Sequence, residues 1–226
     1  MEKQREFTHP NKIGFKDGLG YAFGDAANLF VLTYVSTYLK VFYTDVLKVA
    51  ESKIMTLLLI ARVWDAVNDP LWGALVAKKR PGKNGKFRPW LLRMCGPVAI
   101  SSFLMYQSSL ANLSYTAKVI YLFVTYILWG SVFYTTVNIP YGSMASAISN
   151  DPDDRQSLST FRSMGAMLAG AFVTAVIPLI VYDKVNGKDI MNGGRFTIIA
   201  GVCSVLAIVC YILCYSLVRE RVTFNS

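Results

Sequence analysis

Long apolar stretches alternate with short polar segments along this chain. A helix rises 1.5 Å per residue, so roughly 20 apolar residues cross a hydrocarbon layer of about 30 Å. Six stretches are long enough, and they lie at 19–43, 53–77, 90–110, 118–147, 160–182 and 196–218. Because consecutive stretches lack a polar face, the pattern favours an all-α membrane protein with six transmembrane helices over a large soluble helical domain.

The same pattern divides the chain into three parts. Residues 1–18 form a polar N-terminal tail without the features of a cleavable signal peptide. Residues 19–218 form the predicted transmembrane bundle, and residues 219–226, RERVTFNS, resemble the start of a connector.

Composition and charge agree with a membrane protein. Hydrophobic residues make up 54% of the chain and charged residues 16%, and the mean hydropathy is +0.39. The net charge of +9 is explained by topology rather than by nucleic-acid binding, because basic residues concentrate in the tail, the connector and the segment KKRPGKNGKFRP at 78–89. An even number of helices puts these segments on one side. The positive-inside rule then predicts a multi-pass cell-membrane protein with both termini cytoplasmic and lipid as a partner.

Few residues in this sequence suit metal, nucleophilic or nucleotide chemistry. The four cysteines lie in apolar stretches, where they serve as small packing residues, and the only histidine, His9, lies in the tail. No nucleophile with a paired base and no nucleotide-binding glycine motif appears. We therefore expect neither an enzyme nor a soluble cofactor.

The second stretch carries the strongest functional signal. An ionisable side chain inside a membrane helix costs about 2.5–3.5 kcal/mol and usually faces a cavity. Arg62, Asp65 and Asp69 have the spacing i, i+3, i+7 and therefore share one helix face. Asn68 lies beside them, and Pro70 leaves one backbone carbonyl without its helical donor.

This oxygen-rich group suits a hard cation, and repulsion between two carboxylates also favours protonation of one of them. We therefore predict a site for Na⁺ or H⁺, in which Asp65 and Asp69 are the metal ligands if the ion is Na⁺. The alternative is a buried ion pair of Arg62 with Asp65, in which Asp69 merely ends the helix. One arginine cannot neutralise two carboxylates, which favours a missing cation.

Other stretches carry further polar side chains. Asp25 lies in the first stretch, and Arg162 opens the fifth, where it either reaches the interface or holds a hydroxylated ligand. The fourth stretch contains hydrogen-bonding groups that either contact a ligand or join helices, namely Tyr134, Thr135 and Asn138. The fifth stretch also carries small residues suited to close helix packing, namely Gly165, Ala166, Ala169 and Gly170.

Four segments resemble the glycoside–pentoside–hexuronide:cation symporters of the major facilitator superfamily. They are RVWDAVNDPLWGAL at 62–75, GKFRPW at 85–90, YILWG at 126–130 and NIPYGS at 138–143. The resemblance implies a twelve-helix transporter built of two halves around a sugar cavity. This chain matches the N-terminal six-helix half, so transport would need a C-terminal half or a second copy.

The resemblance also implies roles for particular residues. It assigns cation binding to residues of the second and fourth stretches, namely Asp65, Asn68, Asp69 and Thr135. It assigns sugar contact to Asp25 and Arg162, and the hydrogen-bonding groups of the fourth stretch add Tyr134 and Asn138 to the predicted substrate site.

The chain departs from the family's melibiose permease at three positions, which points to a different glycoside, pentoside or hexuronide. Asn138 stands in place of an aspartate, Gly142 in place of a tryptophan, and Gly24 in place of a lysine. Two alternatives stay open. One is a non-transporting truncated half or half-size subunit, and the other is a transporter of another amphiphile such as a lysolipid.

Overall fold

The computed structural model of the chain describes residues 13–82, 84–185 and 188–222. They form a helical bundle whose elements run in the following order. Helix α1 (Phe15–Val41) continues through a π-helical turn (Phe42–Val46) to α2 (Glu51–Lys78) and α3 (Arg88–Leu104), which is followed by a 3₁₀ turn (Ser108–Asn112). Helix α4 (Tyr115–Ile127), a π-helical segment (Leu128–Tyr134) and α5 (Thr135–Ile148) form one continuous rod.

A second continuous rod consists of α6 (Pro152–Ala171), a π-helical segment (Phe172–Val176) and α7 (Ile177–Val181). An antiparallel hairpin of β1 (Tyr182–Val185) and β2 (Lys188–Met191) then leads into α8 (Gly193–Leu217). Each of the six predicted stretches overlaps one helix or continuous rod, although α6 begins before residue 160 and α3 ends before residue 110. The hairpin was not predicted. The division of the chain into tail, bundle and connector stays a prediction, although α1 already begins at Phe15.

Three of the described helices are long and apolar enough on their own to cross a membrane, namely Tyr115–Ile148, Pro152–Val181 and Gly193–Leu217. Helix α3 has 17 residues and is short for a span, whereas α2 carries Arg62, Asp65 and Asp69 near its middle. An intramembrane charge lowers the hydropathy of a helix and needs a polar or water-filled surrounding. Helix α2 therefore depends on the rest of the bundle to provide a polar surrounding for its three charged side chains.

Helix α1 lies at the centre of the bundle and packs along its length against α6 and α8. Helix α8 also packs against α3, and α3 against α5. One end of the core is aromatic, because the buried rings of Tyr34, Tyr106 and Phe196 pack together. The hydroxyls of the two tyrosines donate to backbone carbonyls: Tyr34 Oη donates to Phe196 O (2.9 Å), and Tyr106 Oη donates to Tyr34 O (3.2 Å).

Helix α2 lies at the edge and contacts mainly the α4–α5 rod. It buries only a few apolar side chains, namely Ile54, Leu57, Ala61 and Val76. Its remaining surface exposes large apolar side chains, including Leu59, Val63, Trp64, Val67 and Leu71. The helix that carries the two carboxylates is therefore covered on one face only.

Two residues that follow α8, Glu220 and Arg221, contact the ends of three other helices, α1, α3 and α5. The Glu220 carboxylate accepts the backbone N–H groups of Lys86 (2.6 Å), Phe87 (2.8 Å) and Arg88 (2.7 Å) at the start of α3. Gly85 has φ +96°, and a Cβ there would lie 2.6 Å from Glu220 Cδ, which explains the glycine in GKFRPW.

Arg221 continues the same contact. Its guanidinium pairs with Asp17 in α1 (2.7 Å), and its backbone N–H donates to Ala147 O at the end of α5 (2.8 Å). The start of α1 and the end of α8 therefore lie on one side of the bundle.

Replacing Glu220 with alanine is expected to destabilise the protein by about 1–2 kcal/mol, since three N–H groups lose an ionised acceptor that is partly exposed. The melting temperature of the purified protein in detergent measures this loss. Glu220→Gln keeps one acceptor oxygen in a similar position. Its melting temperature should lie between those of the wild type and Glu220→Ala. A Glu220→Ala protein that melts like the wild type would show that water replaces the carboxylate at no cost.

Candidate functional site

Helix α2 and the α4–α5 rod enclose a cleft of about 300 Å³. One wall carries Arg62, Asp65 and Asp69 from α2, as their i, i+3, i+7 spacing predicts. The opposite wall carries side chains of the π-helical segment and the start of α5, namely Trp129, Tyr134, Thr135 and Asn138.

Each carboxylate is held by one hydroxyl from the opposite wall. Ser131 Oγ donates to Asp65 Oδ1 (2.8 Å), and Thr135 Oγ1 donates to Asp69 Oδ1 (3.1 Å). The carboxylates are four residues apart and so are the hydroxyls, so the two pairs are stacked one helical turn apart. Asn68 Nδ2 adds a contact to Ser131 O (2.6 Å). The structure thus brings together all four residues predicted to bind the cation.

The wall opposite α2 is locally a π-helix. The backbone N–H and the side-chain hydroxyl of Thr135 both donate to Gly130 O, the latter at 3.0 Å. This wider turn decides which side chains of the segment face α2. Segments of this kind occur mostly as single insertions in α-helices and often at functional sites.

The predicted alternative of an Arg62–Asp65 ion pair is not observed. Arg62 is exposed at the cleft and forms none of the ion pairs or hydrogen bonds found among the described residues. Asp65 is half-buried, Asp69 is exposed, and each receives only a neutral hydroxyl. With both carboxylates ionised, the two negative charges and the positive charge of Arg62 leave one negative charge, which a monovalent cation would neutralise.

The donor atoms fit an alkali cation or a proton better than a transition metal. No group of three or more His, Cys, Asp or Glu side chains comes together in the described ranges. The cleft instead offers two carboxylates with hydroxyl and amide oxygens, which are hard ligands.

Two residues predicted to bind substrate also line this cleft. Asn138 is half-buried there, and Tyr134 stacks on Trp129 with ring centroids 5.3 Å apart. Trp129 was not among the predicted site residues, and it gives the cleft an aromatic surface.

Gly142 stands in place of the permease tryptophan. A Cβ at this position would have no atom within 4 Å, so a side chain there would meet open space.

The other two predicted sugar contacts lie outside the lining of the cleft. Arg162 Nε pairs with Asp25 Oδ1 at 3.0 Å, and Asp25 is buried in α1. The Arg162 side chain is 43% exposed, and its guanidinium lies 5.5 Å from the centre of the Tyr141 ring. The predicted substrate residues therefore form two groups, one in the cleft and one at the α1–α6 contact.

Tyr141 also explains the missing lysine beside Asp25. A Cβ at Gly24 would lie 2.2 Å from Tyr141 Cε2, and the Tyr141 hydroxyl is fixed to Tyr21 O at 2.7 Å. The tyrosine ring occupies the space into which a lysine side chain would begin.

Comparison with known proteins gives a consistent result. A family model described as MFS/sugar transport protein matches residues 20–226. The isoprimeverose transporter of Lactiplantibacillus pentosus is 33% identical over 95% of this chain and 44% of its own length. The putative glycoside/cation symporter YagG of Escherichia coli is 35% identical over 95% of this chain and 45% of its own length.

The uncharacterized symporter YjmB of Bacillus subtilis is 33% identical, again over 95% of this chain and 45% of its own length. The chain thus spans less than half the length of the curated relatives it matches. These matches confirm the resemblance that the four sequence segments indicate, and the chain corresponds to about half of each of these relatives.

Proposed function

Since this chain belongs to the MFS sugar transport family, a family of membrane transporters, we propose that it forms the N-terminal half of a cation-coupled symporter for a glycoside, pentoside or hexuronide. One observation carries the proposal: two carboxylates on α2, each joined to a hydroxyl of the opposite wall, share a cleft with hydrogen-bonding and aromatic side chains. The proposed role is transport rather than catalysis.

In this proposal the coupling ion is Na⁺ or H⁺ and no other cofactor takes part. Asp65 and Asp69 bind the ion directly. Thr135, which donates to Asp69, and Asn68, which donates to the Ser131 carbonyl, complete the site. A metal ion would be shared between the two carboxylates, whereas a proton would reside on one of them.

The sugar is proposed to bind in the same cleft as the ion, next to Tyr134 and Asn138. Tyr134 and Asn138 offer hydrogen bonds to hydroxyl groups, and the stacked Trp129–Tyr134 pair offers an apolar surface to the C–H face of a sugar ring. Asp25 and Arg162 form a second polar group, which would reach the substrate through the exposed guanidinium. Cation and sugar are coupled because both stabilise the same closed conformation.

A second wall is needed to enclose the substrate. We propose that six further helices, in a C-terminal half or a second copy, cover the open side of the cleft and part of the exposed apolar surface of α2. The proposed location is the cell membrane with both termini cytoplasmic. The Asp17–Arg221 ion pair supports termini on a common side, and the basic segment around Lys78 and Lys79 lies on that side as well.

The lysolipid alternative has less support. A zwitterionic head would need Asp25 and Arg162 as separate charges, but in the structure these two neutralise each other. The alternative of a non-transporting half predicts that the protein accumulates no substrate.

The proposal is tested by uptake into vesicles that contain the full-length protein carrying this chain. Radiolabelled glycosides, pentosides, hexuronides and a lysolipid are compared with an inward Na⁺ gradient, an inward H⁺ gradient or no gradient. We expect one sugar class to accumulate above equilibrium with a cation gradient and to leak out when an ionophore collapses it. Accumulation of lysolipid only, or of nothing, would overturn the proposal.

A further inference from the structure

Ser131 is a hydroxyl residue at the carboxylates that sequence reasoning did not single out. It lies in the π-helical segment, its residue is 3% exposed, and its Oγ donates to Asp65 Oδ1 at 2.8 Å. Neither its sequence context nor the family resemblance assigns it a role.

Ser131 is fixed from two directions. Its hydroxyl contacts Asp65, and its backbone carbonyl accepts the Asn68 amide at 2.6 Å. Both partners lie on α2, so Ser131 provides two of the described hydrogen bonds between α2 and the π-helical segment.

The two hydroxyls of the site differ in how their single hydrogen is used. Thr135 Oγ1 lies within reach of two acceptors, Asp69 Oδ1 at 3.1 Å and Gly130 O at 3.0 Å. Ser131 Oγ has Asp65 as its hydrogen-bond acceptor, at the shorter distance of 2.8 Å. A hydroxyl has one hydrogen and two lone pairs, so the oxygen of Ser131 can accept from or ligate a third group while its hydrogen stays on Asp65.

This arrangement treats a metal ion and a proton differently. A proton forms a covalent bond to one carboxylate oxygen and needs no other ligand. Na⁺ must replace its hydration shell with several oxygen atoms, and neutral oxygens next to the carboxylates supply them without adding charge.

Building on the proposed function, we propose that Ser131 is a specificity-determining ligand of the cation site: its hydroxyl oxygen coordinates Na⁺ beside Asp65 and favours Na⁺ over H⁺. The residues that would hold the ion form two layers, Asp65 with Ser131 and Asp69 with Thr135. Asn68 keeps the layer of Asp65 and Ser131 in place through the Ser131 carbonyl.

The test compares Ser131→Ala with Ser131→Thr, which keeps a hydroxyl, in the purified full-length protein. Calorimetric titration with NaCl at fixed pH gives the Na⁺ dissociation constant, and uptake without Na⁺ under a pH gradient gives proton coupling. We expect Ser131→Ala to weaken Na⁺ binding about tenfold, the scale of one polar contact to an ion, and to leave proton-driven uptake within about twofold of the wild type. Ser131→Thr should bind Na⁺ within about threefold of the wild type.

Ser143→Ala is the matched control. Ser143 lies on α5, and its hydroxyl donates to Ile139 O (2.9 Å) within its own helix, so Na⁺ binding should not change. Unaltered Na⁺ affinity in Ser131→Ala would overturn the inference. So would an equal loss of Na⁺ binding and proton-driven uptake, because that would show Ser131 only holds Asp65 in place.

The wild type separates this inference from the proposed function. Wild-type uptake that is driven by H⁺ and shows no Na⁺ binding would overturn the role of Ser131 and leave symport intact. Wild-type protein that takes up no sugar with either cation would overturn the proposed function itself.

Discussion

Asp65→Asn and Asp69→Asn are each expected to abolish cation-driven accumulation of substrate in the full-length protein. Each substitution removes one negative charge from a site whose described charges are two carboxylates and Arg62. Losing a charge-assisted contact to the cation typically costs about 1.5–3 kcal/mol, which lowers cation affinity by at least about tenfold. Asparagine keeps the size of the side chain and can still accept the hydroxyl of Ser131 or Thr135, so the helix packing should survive.

The measurement is uptake of the transported sugar with and without a cation gradient, together with equilibration when substrate flows downhill. We expect both variants to equilibrate substrate and neither to accumulate it. Asp45→Asn is the control, because Asp45 is an exposed carboxylate in the π-helical turn after α1 and accepts a hydrogen bond from its neighbour Thr44. If both variants of the cleft accumulate sugar like Asp45→Asn, the carboxylates are not the coupling site.

The two carboxylates could be located from the sequence because the information is local. Three charged residues at i, i+3, i+7 must share a helix face whatever the helix packs against. The residues of the opposite wall could not be located in this way, because tertiary packing decides which of them face α2. Trp129 lines the cleft and Ser131 reaches Asp65 only because α2 packs on the π-helical segment, and the sequence pattern of that segment does not reveal its wider turn.

The pairing of Asp25 with Arg162 was beyond sequence reasoning for a similar reason. The two residues are 137 positions apart and meet because α1 packs on α6. Each was predicted to contact sugar independently, and those roles stay predictions. The geometry adds that the carboxylate reaches a ligand only if the ion pair rearranges or the arginine contributes the contact.

The sequence predicted helix ends that coincide with the ends of apolar stretches. It did not predict ends that lie in polar segments. Helix α6 begins at Pro152 rather than near residue 160, so most of the segment expected to be a polar loop is helical. Asp151 caps this extension by accepting the N–H of Asp153 at 2.9 Å. Hydropathy cannot detect a helix that continues beyond the apolar layer, whereas the Asp-Pro pair at its start is a capping signal that the sequence does contain.

The expected small-residue face of α6 is only partly a packing face. Gly165 and Ala169 are buried, and a Cβ on Gly165 would lie 2.2 Å from Ala22 O and 2.8 Å from Ala22 C. Those atoms belong to the backbone of α1 and cannot rotate away. Gly170, by contrast, has nothing within 4 Å of its Cβ position.

Gly165→Ala is therefore expected to destabilise the bundle strongly, because the clashing atoms belong to the backbone of α1. The added carbon forces α1 away from α6, which loosens the contact between these helices and strains the Asp25–Arg162 ion pair that spans it. Overpacking of this kind costs typically about 1–3 kcal/mol, and contact with backbone puts this case at or above the upper end. Thermal unfolding of the purified protein in detergent measures the loss.

Gly170→Ala makes the same chemical change five residues further along the same helix. Alanine is preferred over glycine in a helix interior by about 0.5–1 kcal/mol, so this variant should be as stable as the wild type or slightly more stable. The difference between the two variants isolates the α1–α6 contact from helix propensity, because propensity acts on both in the same direction. Equal melting temperatures for Gly165→Ala and Gly170→Ala would mean that α1 and α6 do not approach as closely as the structure places them, and the Asp25–Arg162 pair would then lose its structural basis as well.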